Sequence, residues 1–124
     1  MTESSQLTKL AGSTKKLGQL ISKASNERKT IVRDMRSLKA KGLIYASLHW
    51  RERRYLYLLY PLVPGEPRKR EYIGTDPARI EAAQQAIGRA GEYDRLNDRL
   101  HTLDAAILRA SQAIGSAVTE LQKW

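Results

Sequence analysis

The chain has 124 residues, a formal charge of +9 and no cysteine, which excludes a disulfide scaffold and a thiolate metal site. No apolar run approaches the ~20 residues that span a bilayer, and the opening MTESSQLTKL carries no basic, apolar signal pattern. With phenylalanine absent and tryptophan used twice, we expect a small, thin-cored, cytoplasmic chain that is mainly helical.

The first predicted element is a long helix over residues 1–42. Its apolar positions step three and four residues at a time: Leu7, Leu10, Leu17, Ile21, Ala24, Ile31, Met35 and Leu38. Thr14 and Arg28 occupy two places in the same series, so this is a coiled-coil seam with polar interruptions. Lys39 and Lys41 precede Gly42, a C-terminal signature of basic last turn and helix-ending glycine.

Residues 43–74 read as a three-stranded antiparallel β-meander. Strands are predicted at Leu43–Trp50, Arg54–Leu62 and Arg68–Ile73 from their tyrosine, leucine and isoleucine content. Pro64-Gly65 marks the second turn. The first turn, around Arg51-Glu52-Arg53, has no glycine. Alternation then predicts Ile44, Ala46, Leu48, Leu56, Leu58 and Ile73 inward, and Tyr45, His49, Tyr55, Tyr57, Arg68, Arg70 and Tyr72 outward.

A second long helix is predicted over residues 75–124, with Asp76 as N-cap and Pro77 at the first helical position. Ile80, Ala83, Ile87 and Ala90 form a stripe suited to covering the sheet over residues 75–91. From Tyr93 the stripe changes phase and continues through Leu96, Leu100, Leu103, Ile107 and onward to Trp124. The fold class expected is therefore α+β, mainly α. Two heptad helices, pairing as an antiparallel coiled-coil hairpin or in a homodimer, flank the meander.

The charge is concentrated in the middle of the chain. Twelve basic residues lie between Arg28 and Arg70, against Asp34, Glu52 and Glu66, and the flanking residues balance to zero. Such a segment attracts polyanions. Arginine forks suit phosphate, and interleaved tyrosines stack on bases or sugar. The candidate nucleic-acid contacts are Arg33, Arg36, Lys39, Lys41, Arg51, Arg53, Arg54, Tyr55, Tyr57, Arg68, Lys69 and Arg70. Other readings of these residues are a solvated edge that blocks sheet-to-sheet pairing, and tyrosines packed on one another.

Helix, KG hairpin, YLYLLY, RKREYIG and acid-capped heptad helix together resemble an uncharacterised pattern in small proteins of phages, plasmids and other mobile elements. Residues 43–90, through their strand order and the YIG-T-D-P junction, also resemble the arm-type DNA-binding domains of integrases. That likeness implies a sheet entering the major groove. Residues 17–44 resemble a winged-helix motif, which implies a turn at Ser25–Lys29 and a recognition helix over Thr30–Lys41.

Enzymatic chemistry finds no support. His49 and His101 lie on different elements without partners at ligand spacing, no phosphate-binding glycine loop occurs, and no carboxylate pair suits acid–base work. We expect no cofactor and no metal. The expected function is non-enzymatic nucleic-acid binding, DNA favoured over RNA, in a mobile-element protein. The alternative is a module that binds an acidic protein surface, as a phage-encoded inhibitor would.

Overall fold

The computed structural model describes residues 4–124; residues 1–3 of the expected first segment lie outside that range. The fold is α+β and mainly helical, with two helices flanking a three-stranded antiparallel sheet. Helix α1 spans Ser5–Lys41, strands β1, β2 and β3 span Ser47–Arg51, Tyr55–Leu59 and Arg70–Gly74, and helix α2 spans Pro77–Lys123. Among the described residues, no helix is long and apolar enough to cross a membrane.

Local chemistry explains the helix ends. Ser4 caps α1, its hydroxyl accepting from the Leu7 amide at 3.4 Å. Gly42, at φ +102, ends α1 in the left-handed region and donates to the Lys39 carbonyl. Arg89 of α2 then donates to the Gly42 and Lys41 carbonyls at 2.8 and 3.1 Å. A guanidinium thus meets the negative end of α1 and satisfies its last carbonyls. Asp76 caps α2 through the Ala78 amide, as expected for the Asp-Pro entry. Ser25–Lys29 is helical throughout, within an unbroken α1.

The chain divides into two compact units, and each helix contributes to both. Asp34–Asp98 form the sheet unit. Its core is built on Leu56 and Leu58, both fully buried, with Ile73 and Ala83. Ile44, Ala46, Tyr60, Ile80 and Ile87 pack around them. The alanines Ala83, Ala86 and Ala90 of α2 are all buried, the size that lets a helix approach a thin sheet closely.

Strand limits differ from expectation for identifiable reasons. Residues 43–46 are not in the sheet: the Ile44 amide donates to the Ala86 carbonyl, and the Tyr45 hydroxyl to Asp94 at 2.8 Å. Strand β2 stops at Leu59; Pro61, two residues on, has no amide to continue a ladder. The first loop is Glu52–Arg54, with Arg51 paired to Tyr55, one residue later than expected on both sides, so the two faces keep their members. Leu48 was expected inward but is 39% exposed, as is Trp50 at 41%. Both lie on the core-side parity of edge strand β1, where all five residues are exposed.

The second unit combines residues up to Arg33 with Arg99–Trp124. Within it Arg28 donates from Nε and Nη2 to the two carboxylate oxygens of Asp104, at 2.7 and 3.2 Å, and Arg99 pairs with Glu27. The charged interruption in the first heptad series is therefore paired across helices. Leu17, Ala24, Leu100, Leu103, Ala110 and Ile114 are half-buried, and Ile31 is buried.

Candidate nucleic-acid interface

The β1–β2 register aligns His49 with Tyr57, and the β2–β3 register aligns Tyr57 with Tyr72. Three rings therefore form one row across the face of the sheet opposite the Leu56–Leu58 core. A β-bulge makes this possible. Leu56 pairs with Gly74 and Tyr57 with Tyr72, leaving Ile73 as the extra residue on β3. Ile73 is buried in the core while Tyr72, its neighbour, is 49% exposed on the other side. Gly74, at φ +97, lies under the Tyr72 ring; a Cβ there would stand 3.5 Å from the ring edge. The Tyr57 and Tyr72 rings are 4.9 Å apart and tilted by 51°, so they pack on one another as a tilted aromatic pair.

Cations flank this row. His49, Arg51, Tyr57, Leu59 and Arg70 line a shallow cleft of about 100 Å³. The Arg51 guanidinium lies 6.0 Å from the Tyr57 ring centre, and that of Arg54 lies 5.0 Å from the Tyr55 ring, both within cation–π reach. Among the described residues, Arg51, Arg53, Arg54 and Arg70 form no ion pair. Their charge is not neutralised by a carboxylate.

The hairpin tip is strained. Glu52 and Arg53 have φ of +53 and +61, and the Arg54 amide donates to the Arg51 carbonyl at 3.2 Å. This is the handedness that hairpins favour, normally supplied by Asn-Gly or Asp-Gly. Two side-chain-bearing residues adopt it here at a cost of about 1 kcal/mol or more each. The Pro64-Gly65 turn is relaxed by comparison, with Gly65 at φ +81 and the Glu66 amide on the Val63 carbonyl.

Of the candidate residues, Arg51, Tyr57 and Arg70 meet in the cleft, and Arg53, Arg54 and Tyr55 adjoin it at the tip. Arg68 and Lys69 precede β3 instead of lying within it. Arg68 donates to the Tyr60 carbonyl at 3.2 Å, and the Lys69 ammonium sits 4.7 Å from the Tyr60 ring. Tyr60 belongs to the core-side parity, so Lys69 is separated from the Arg51–Arg70 face. Burial and its hydrogen bond to Glu71 raise the Tyr60 hydroxyl above the usual tyrosine range. Arg33, Arg36, Lys39 and Lys41 are exposed positions of α1, Arg33 in the helical unit and the other three in the sheet unit.

His49 and Tyr72 were absent from the candidate contacts. Outward alternation marked both, but nothing in the sequence showed that one row holds both with Tyr57. No protein-family model, no curated protein and no solved structure matches this chain.

Proposed function

We propose that the protein is a non-enzymatic nucleic-acid-binding protein, acting on DNA in preference to RNA, with the outer face of the sheet as its contact surface. The observation that carries this is a set of unneutralised guanidiniums, Arg51, Arg53, Arg54 and Arg70, around the half-buried rings of Tyr55 and Tyr57. Arginine offers phosphate two parallel donors, and arginines that no carboxylate pairs with, set among aromatic rings, suit a polyanion with flat bases. The resemblance to small mobile-element proteins suits such a role.

The test is binding to labelled DNA, titrated from low to near-physiological salt, with the wild type and an Arg51→Ala/Arg53→Ala/Arg54→Ala variant. The wild type is expected to lose affinity with salt at a log–log slope of about −0.9 per duplex phosphate neutralised. The triple variant is expected to lose two to three units of that slope and at least about a hundredfold in affinity at low salt. Unchanged affinity in the triple variant would remove the hairpin from the interface. Absence of binding at low salt would overturn the reading and favour the acidic protein partner, for which exposed Leu48 and Trp50 beside the basic tip supply an apolar anchor.

Self-association is the second part of the proposal. The ties from Arg28 to Asp104 and from Arg99 to Glu27 favour an antiparallel hairpin within one chain. That pairing leaves Leu7, Leu10, Leu20, Ile21, Leu108 and Val118 44–63% exposed. With Leu121 they leave an exposed apolar surface on both helices. A second copy of the chain, giving a four-helix arrangement, would cover it.

A further inference from the structure

The outer face of the sheet carries an aromatic row flanked by arginines. We infer that it takes an unpaired strand, whose bases stack on the row His49–Tyr57–Tyr72 while a backbone phosphate sits between Arg51 and Arg70. This deepens the nucleic-acid reading above and rests on it.

The middle of the face is aromatic and its margins are cationic. Strand spacing of about 4.8 Å places the three rings over ~10 Å of sheet, enough for about two bases on an open sheet face. The rings are held ready for this by backbone devices. The bulge at Ile73 puts Tyr72 opposite Tyr57, and Gly74 follows at φ +97, a conformation that favours glycine. Tyr57 and Tyr72 pack on one another with their centroids 4.9 Å apart, and Tyr72 still keeps half its surface open to solvent.

A duplex would use this face poorly. Its bases are already stacked, so their flat faces are hidden, and only phosphates and base edges are presented. The charged tip would be engaged, but the aromatic row would meet nothing it can stack on. A cleft of about 100 Å³ between two arginines suits one phosphate of a flexible strand, which can turn its bases onto the sheet on either side. Stacking is tolerant of sequence because every base has a π-face, so little sequence preference is expected.

The test compares a labelled single-stranded oligothymidylate with a random duplex of the same length, using the full chain at one fixed salt concentration. Wild-type protein is expected to bind the single strand at least about tenfold more tightly than the duplex. Tyr72→Ala is expected to lower single-strand affinity about tenfold with an unchanged salt slope, and to leave duplex affinity where it was. Tyr72→Phe, which keeps the ring, is expected to match the wild type. Unchanged circular dichroism and thermal midpoint in both variants would separate lost stacking from lost fold. Equal or tighter duplex binding would overturn the inference while leaving the nucleic-acid reading in place, as would a Tyr72→Phe variant as weak as Tyr72→Ala. Failure to bind either form at low salt would overturn the reading beneath it.

Discussion

The two units of this chain differ in how they hold their central arginines and leucines. In the helical unit Arg28 and Arg99 are paired with Asp104 and Glu27, while leucines and isoleucines stand exposed. In the sheet unit the leucines Leu56 and Leu58 are fully buried, and the arginines of the outer face have no carboxylate partner among the described residues. Paired charges across two helices set which residues face each other, at little net gain in stability when exposed. Unpaired charges on a sheet repel one another and are retained at a cost. The proposed nucleic-acid contact would supply the missing anions.

The largest expected break in this comparison is in the sheet core. Leu56→Ala removes a fully buried side chain and should destabilise the protein by about 3 kcal/mol. Leu7→Ala, at a 63% exposed position, should cost under about 0.5 kcal/mol. Urea denaturation of both variants measures the contrast, and equal losses would mean that the two units bury apolar surface alike.

Self-association tests what the exposed leucines are for. Light scattering on wild-type protein should give about twice the 14.0 kDa chain mass. Ile21→Glu should return the mass to that of one chain without loss of helix content. A wild-type monomer at high concentration would sink the two-copy arrangement.

The strained tip offers a smaller effect with two readouts of opposite sign. Replacing Glu52-Arg53 by Asn-Gly should raise stability by about 1–2 kcal/mol, because both positions have positive φ. The same change removes the Arg53 guanidinium together with the Glu52 carboxylate, and relative to Glu52→Asn alone should shorten the salt slope for DNA by about 0.9. A rise in stability with no change in slope would place Arg53 outside the interface.

The smallest effect belongs to the exposed ion pair. The hydrogen bond from Arg28 holds the Asp104 carboxyl below its ordinary value of 3.8, against the opposing pull of desolvation. A carboxylate lowered on folding stabilises the fold at pH values above its unfolded value. That contribution is lost as pH falls through the lowered folded value. Asp104→Asn should therefore remove part of the acid sensitivity of the thermal midpoint below about pH 4 and change little near neutrality. An identical pH profile in the variant would show that the pair does not contribute.

Signals carried by neighbouring residues were legible in the sequence. Lys39, Lys41 and Gly42 end one helix, Asp76-Pro77 begins the next, and Pro64-Gly65 turns the chain between strands, because capping and turn chemistry act over a few residues. The alternation of Leu56 and Leu58 with Tyr55 and Tyr57 predicted two faces, since a strand has period two. The stripe Ile80, Ala83, Ile87 and Ala90 likewise predicted the helix face that meets the core. Tertiary structure alone decided what depends on partners distant in the chain. Ile44 leaves the sheet because its amide finds the Ala86 carbonyl, and Arg28 tolerates a seam position because Asp104 lies within reach. The bulge at Ile73 aligns Tyr72 with Tyr57, and the parity of Tyr60 separates Lys69 from Arg70. One residue of register moves a side chain to the opposite face, and register is settled only when strands and helices pack together.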